Sequence, residues 1–419
     1  MIQTYELLPG VILRVFADNR FKQNCLSVQF VRPMHEAEAS YNALLPAVLL
    51  RGCRTAPDMR DIILRLDDLY GASIGALVRR VGDYQTTGIS CNFISDRFAL
   101  EGDKILAPMV AFIGDILFAP VLEDGAFRRD YVESEKKNLI ATIQAQKNDK
   151  RAYCSAQMLK KMCARDSYGV PRLGEADTVP AITPGSLYDH YRKVLRESPV
   201  EIFYVGQAEE SLPALIKRLF SDIPGDRKEL PPQTHFRSAG GGSHTETMDI
   251  AQGKLCMGFS TDIDLRNGDF AAMQVCNVVF GGGMTSKLFM NVREKMSLCY
   301  DIGSSYTGSK GIMTVSAGID CDKFELVCHQ IQTQLEAVCK AQITDEELSS
   351  AKEALLSGLR GTHDSPGSIE SYYASAALSG LQLAPQDYMA QVSAVDVDAV
   401  AAAARSLKLD TVYFLKGEQ

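Results

Sequence analysis

Histidine is the first residue to count in a search for metal or acid–base chemistry. The 419-residue chain has six: His35, His190, His235, His244, His329 and His363. The closest two, His235 and His244, lie nine residues apart. No HxxH or HxxxH pair can therefore set two imidazoles on one helix face, as a helical zinc site needs. His35 precedes Glu36 and Glu38, but residue 39 is Ala, so HExxH fails there as well. The eleven cysteines contain no CxxC pair. Cys321 and Cys328, seven apart, fit a helix better than a zinc knuckle, and the set reads as small buried thiols in a reducing compartment. Gly240-Gly241-Gly242 is not followed by Lys-Ser or Lys-Thr and reads as linker rather than phosphate loop. Arg79-Arg80 is too short for a basic patch. RRDYVESEKKN, Arg128–Asn138, mixes charges at helical spacing, as a solvated helix face does.

The chain that must position such residues is ordinary in composition. Its 46% hydrophobic and 23% charged residues exclude a disordered chain or a fibre. With 44 Lys+Arg against 52 Asp+Glu, the net charge of −8 argues against a nucleic-acid binder. The opening MIQTYELLPG has neither the basic nor the apolar region of a signal peptide. The most apolar stretch, Ile105 to Leu122, is broken by Pro108, Gly114, Asp115 and Pro120, so no membrane insertion is expected. These features predict a cytoplasmic location.

Hydrophobic periodicity organises the chain into two similar halves. In the first, 11–16 and 24–32 alternate like strands, 38–51 and 58–69 read as helices, and 73–80 and 84–93 form a hairpin turning at Gly82-Asp83. Helical patterns fill 102–118, 126–147, 151–164 and 184–196, the last with Thr183 as N-cap and Pro184 at the first helical position. The strand Val200 to Gly206 closes the half. In the second, a strand at 253–261 precedes helices at 267–280 and 284–296, a hairpin at 298–307 and 311–319, and helices at 322–340, 344–359, 368–380 and 396–407. Thr344 and Glu347 have capping-box spacing, and Thr411 to Gly417 is a final strand. The closing strands superpose Phe203 on Phe414 and Gly206 on Gly417, and Tyr70-Gly71 falls near Tyr300-Asp301. The shared order predicts an internal duplication. The fold class is α/β (α+β): two homologous domains, each a mostly antiparallel sheet packed against helices. The domains are drawn as 1–221 and 246–419, joined by a linker at 222–245 that carries Pro224-Gly225, Pro231-Pro232 and the three glycines.

Several segments together resemble the pitrilysin/insulinase family of zinc peptidases, the inverzincins, and their non-catalytic relatives. They are LYGASIGALV (Leu69–Val78), ILFAPVLEDGAF (Ile116–Phe127), the stretch Asp166–Gly206 ending in VEIFYVG, and FGGGMTSKLFMNVREKMSLCYDIGSSY (Phe280–Tyr306). The resemblance covers nearly the whole chain. It implies two homologous domains and the pairing of two chains into a hollow clamshell. The catalytic element of the family is HxxEH on a helix, in which two histidines bind zinc and the glutamate activates the metal-bound water, with a glutamate on a later helix as third ligand. Placed by the trailing LLRGC, that motif falls on ALLPA: Ala43 and Ala47 stand for the histidines and Pro46 for the glutamate. On the later helix Thr142 takes the ligand position, and Glu135 lies upstream. Neither Ala nor Pro brings a donor, and Pro46 would kink the helix or delay its start. No zinc, other metal or cofactor is therefore expected, and no catalytic residue is assigned.

The resemblance also implies that Arg293 and Tyr300 contact a substrate peptide, in some pairs within the site of a zinc-bearing partner. Arg offers planar donors for carbonyls or a carboxylate, and a Tyr hydroxyl can donate to a developing oxyanion. Read from the residues alone, Arg293 is a surface helix charge paired with Glu294 or another carboxylate, and Tyr300 a strand-core aromatic. The expectation is a non-catalytic subunit that pairs with a zinc-bearing homologue in peptide hydrolysis. The alternative is a structural or peptide-binding homodimer with no part in proteolysis.

Overall fold

The computed structural model describes residues 2–223, 225–266, 269–381 and 383–418. Pro224 of the predicted linker and residue 267, where the pattern begins a helix, lie outside them. The chain divides into two compact units, each built from three segments. The first comprises Met1–Gln144, Pro171–Pro232 and His363–Ser375; the second comprises Ala145–Val170, Gln233–Thr362 and Ala376–Gln419. The sequence draws one boundary at 222–245, whereas the structure assigns 145–170 to the second unit and 363–375 to the first.

The first unit holds strands β1 (Ile2–Leu8), β2 (Val11–Ala17), β3 (Gln23–Pro33), β4 (Ser73–Val81) and β5 (Tyr84–Ile94), a two-strand ribbon of β6 (Leu122–Glu123) and β7 (Ala126–Phe127), and β8 (Val200–Gly206). Its six-stranded sheet runs β1-β2-β8-β3-β5-β4, with β2 and β8 parallel. The second unit holds β9 (Gly242–Met248), β10 (Gly253–Ser260), β11 (Cys299–Thr307), β12 (Ile312–Ile319) and β13 (Lys408–Gly417), in the order β11-β12-β10-β13-β9, with β13 and β9 parallel. Read from the other edge, β9-β13-β10-β12-β11 reproduces β2-β8-β3-β5-β4, with the parallel pair in the same place. This is the duplication that the order of elements predicts.

Alternation along β3 shows how each sheet is covered. Leu26, Val28 and Phe30 enter the apolar core of the first unit. Ser27 and Gln29, which period-two geometry turns to the opposite face, are also buried. The cover on that face is the segment His363–Ser375, whose Glu370 is only 2% exposed. Glu370 accepts from Ser27 Oγ at 2.6 Å, from Gln29 Nε2 at 3.1 Å, and from both Arg79 Nη atoms at 2.9 and 2.7 Å. In the second unit the helix Lys150–Met162 covers the sheet through Cys154, Met158 and Met162, packed with Cys256, Tyr413 and Leu415. Gly258 makes room for it: a Cβ there would meet Met162 Sδ at 2.5 Å and Met158 Sδ at 2.6 Å. Just past this helix, Asp166 accepts from the fully buried Lys310 at 3.0 Å.

The sequence reading misses β1, the helix Leu212–Ser221, β9 and the helix Pro385–Ala394. β9 begins at Gly242, inside the predicted linker, and pairs in parallel with β13 from Gly242↔Thr411 to Met248↔Gly417. It is an edge strand with polar, partly exposed side chains and lacks the apolar run that marks a strand. The predicted helix 284–296 is instead a π-helix over Leu288–Lys295, preceded by a π-helical turn at Val278–Gly282. Among the described residues, no helix is long and apolar enough to cross a membrane. All eleven cysteines are free thiols.

The buried pair gives a direct test. Removing one partner strands a charge in the core, which costs about 3–5 kcal/mol, whereas replacing both with apolar residues costs far less. Lys310→Met and Asp166→Leu should each lower the denaturant midpoint of the chain sharply. The double variant should recover most of the loss.

Candidate functional site

The helix that carries the degenerate motif runs from Glu36 to Leu49 with His35 as N-cap, the His35 ring accepting from the Ala37 amide. It does not start late, contrary to one expectation for Pro46. A proline at 46 leaves the carbonyl of residue 42 without its helical donor. Thr87 Oγ1, on β5, supplies the missing donor to the Asn42 carbonyl at 2.7 Å.

The side chain of Asn42 anchors a buried polar chain on the same helix face. Its Nδ2 donates to Gln85 Oε1 at 2.8 Å, and Gln85 Nε2 donates to the carbonyls of Ala39 at 3.1 Å and Arg172 at 2.7 Å. With Asn42 Nδ2 so committed, its Oδ1 accepts from His190 Nε2 at 2.7 Å. Burial disfavours the charged imidazolium and pushes His190 down to about 4, with Arg32 and Lys193 adding to the effect and Glu38 opposing it. His190 is thus a neutral donor that holds the helix. Nearby, burial raises the Glu38 carboxyl, but the hydrogen bonds from Lys193 and Arg32 outweigh it and hold the group at about 2.

The four positions aligned with the zinc ligands and base hold no site. Ala43 and Pro46 are buried, Ala47 is half-buried, and none carries a donor atom. Thr142 is exposed, and its hydroxyl donates back to the Asn138 carbonyl at 2.8 Å. Glu135 is paired with Arg51 Nη1 at 3.2 Å, and that guanidinium lies over the Tyr131 ring. Among the described residues, no group of three His, Cys, Asp or Glu side chains is gathered to hold a metal ion. The residues present do not fit a zinc ion here.

The second-unit pair is arranged differently. The wide turns of the π-helix Leu288–Lys295 end with Met296 N donating to the Asn291 carbonyl, and the chain leaves through Ser297 in the left-handed region (φ 51°). Such turns are rare and cluster at functional sites. They bring Arg293 Nε to the carbonyl of Tyr300 at 2.9 Å. The guanidinium lies 4.5 Å from the centroid of the Phe289 ring, and Nη1 reaches Glu294 at 3.2 Å. Tyr300, on β11, is 60% exposed and so is no core aromatic. Its hydroxyl donates to Asp320 Oδ1 at 2.9 Å, and Asp320 Oδ2 pairs with Lys323 at 2.7 Å. The bond to Asp320 raises the phenol above its ordinary value, while the bonds from Lys323 and Tyr300 lower the Asp320 carboxyl. Arg293 and Tyr300 therefore meet through a backbone carbonyl, with both side chains reaching the surface. Sequence reasoning missed Asp320; its only local signal is a Lys three residues on, just past the hairpin. The chain of Asn42, Gln85, Thr87 and His190 was missed too, because its members are far apart in sequence.

Comparison with known proteins identifies relatives of the chain. The family model described as "Peptidase M16 inactive domain" matches residues 181–355. The probable inactive metalloprotease YmfF of Bacillus subtilis is 28% identical over 98% of this chain and 96% of its own length. A conserved protein of Enterococcus faecalis, solved by crystallography, superposes with a TM-score of 0.93 at 30% identity, covering 100% of this chain and 99% of that one. A peptidase M16 inactive domain from Pseudomonas fluorescens, at 20% identity, has the same fold, with a TM-score of 0.83 over 100% of this chain and 98% of its own.

Two measurements probe the first-unit helix. Thr87→Val keeps the shape but orphans the Asn42 carbonyl, and should cost about 1–3 kcal/mol in chemical denaturation. His190 takes up a proton near pH 6.5 in the unfolded chain but only near 4 in the folded one. Its contribution is therefore complete above pH 6.5 and is lost as pH falls towards 4, a loss of roughly 3 kcal/mol. The melting temperature of the wild type should fall through this window more steeply than that of His190→Gln.

Proposed function

Because the chain belongs to the M16 peptidases, the pitrilysin/insulinase family, as a member without HxxEH, we propose that it is the non-catalytic subunit of a peptidase whose zinc is held by a homologous partner. On this reading the two chains enclose the peptide chamber, and the second unit of this chain supplies substrate contacts through Arg293 and Tyr300. The observation that carries the reading is the contrast between the units. The first has no histidine or carboxylate at the aligned positions, with Ala43 and Pro46 buried in a sound helix and the Thr142 hydroxyl turned back to the Asn138 carbonyl. The second keeps Arg293 on a π-helix and Tyr300 on β11, with both side chains reaching the surface. The chain would work in the cytoplasm, where its eleven free thiols stay reduced.

Purification of the tagged chain from its own cells should bring down an HxxEH homologue in equal amount. Peptide turnover by the complex should need zinc bound to that partner. Arg293→Ala removes a charge-assisted contact worth about 1.5–3 kcal/mol and should cut turnover by about ten- to a hundredfold. Undiminished turnover would remove this chain from the reaction.

A further inference from the structure

A second charged cluster belongs wholly to the first unit. Arg32 stands near the end of β3, and Lys193, Arg196 and Glu197 lie towards the end of the helix Pro184–Glu197. Lys228 and Glu229 follow on a segment tied to that helix end. Four cations here share two carboxylates. Glu38 meets Arg32 and Lys193. Glu197 meets Arg196 at 2.7 Å, Lys228 at 3.3 Å and Arg32 Nη1 at 3.7 Å. The helix end does not need the lysines as caps, because its Val194, Arg196 and Glu197 carbonyls accept from the amides of Ser198, Asp226 and Lys228. Arg32 is only 7% exposed, and its Nε and Nη2 donate to Glu38. Its Nη1 lies too far from Glu197 for a hydrogen bond. One amino group of a buried guanidinium is thus left without an acceptor, and such a donor is costly to leave unmade.

Arg32, Lys193, Lys228, Glu197 and Glu229 line a cavity of about 330 Å³. The rest of its wall is apolar, from Val31, Pro33, Pro199 and Leu230. Glu229 is exposed; with it counted, four cations stand against three carboxylates, and the cluster keeps a positive surplus. Each ammonium has three N–H groups and one carboxylate to meet, so both lysines have donors to spare beside Arg32 Nη1. A carboxylate ligand would bring one charge and two oxygens. A phosphate group brings close to two charges and three acceptor oxygens, which suits one guanidinium and two point charges better. We propose that this cavity binds a phosphate group through Arg32, Lys193 and Lys228, either as free phosphate or as the ester of a small molecule whose body lies on the apolar wall. The site serves neither the metal positions nor Arg293 and Tyr300, and it stands whether or not the chain takes part in peptide hydrolysis.

The probes are inorganic phosphate, phenyl phosphate and benzoate, titrated into the full chain by calorimetry at low ionic strength. Inorganic phosphate and phenyl phosphate should each saturate at one per chain. Benzoate, with the same ring and a single charge, should bind at least about tenfold more weakly than phenyl phosphate. Phenyl phosphate binding the tighter of the two would identify an organic phosphate as the ligand; inorganic phosphate binding as tightly or tighter would identify free phosphate. Lys193 is half-buried and Lys228 exposed, so Lys193→Met and Lys228→Met should fold, as melting without phosphate will show. Each should weaken phosphate binding by about tenfold, the loss of one charge-assisted hydrogen bond. Lys217→Met, at an exposed lysine on the helix Leu212–Ser221, should leave binding unchanged. Phosphate should raise the melting temperature of the wild type but not of the variant lacking both lysines. Binding that never saturates, that persists without Lys193 and Lys228, or that falls equally in Lys217→Met would overturn the proposal. So would benzoate binding as tightly as phenyl phosphate.

Discussion

A buried carboxylate fixes each sheet to a segment from the other half of the chain. Glu370 lies on the polar face of the first sheet and is met there by Ser27, Gln29 and Arg79. Asp166 lies past the helix that covers the second sheet and is met by Lys310. A carboxylate taken out of water is tolerated only with a cation and further donors around it. Each of these groups has that company only if the covering segment is seated in one position. The apolar contacts of Met158 and Met162 supply area, but methionine adapts its shape to what it meets. The ion pairs supply register. A duplicated chain offers two similar sheets, and a specific polar contact on each tells a covering segment where it belongs.

The same economy of donors governs the two candidate sites. In the first unit the helix that would carry a metal site is held from below by neutral hydrogen bonds. Thr87 answers the carbonyl that Pro46 leaves open, and Asn42 links Gln85 to His190. The helix is thus secured by β5 beneath it and by His190. In the second unit the donors are spread at the surface. The π-helix lets Arg293 reach the backbone of Tyr300, and the hairpin places Asp320 against the phenol. One unit presents a helix on which Ala43, Pro46 and Ala47 carry no donor atom, and the other presents a polar surface built from Arg293, Tyr300 and Asp320.

Much of the architecture was legible because it is local. The hairpins at Ser73–Ile94 and Cys299–Ile319, the N-cap at Thr183, the capping box at Thr344, and the closing strands ending at Gly206 and Gly417 follow from alternation, caps and turn glycines within a few residues. β9 was not legible, because a parallel edge strand with polar side chains has neither a hairpin nor an apolar run. The π-helix was not legible either, since its side-chain pattern matches an α-helix and only the backbone bonds differ.

By itself, the sequence determined that no histidine pair exists to bind a helical zinc, a conclusion that needs only residue types and spacing. That Ala43, Pro46, Ala47 and Thr142 stand at the family's positions is what the resemblance implies, and no folding can add a donor atom to alanine. The sequence also determined the duplicated order of elements, because periodicity is local. The tertiary structure alone decided which half covers which sheet, since Arg79 and Glu370 are 291 residues apart. It decided too that Tyr300, which the residues alone read as a core aromatic, stands at the surface with its hydroxyl donating to Asp320. Pairings across such separations depend on where the chain returns, and that is set by the packing of whole sheets and not by any local pattern.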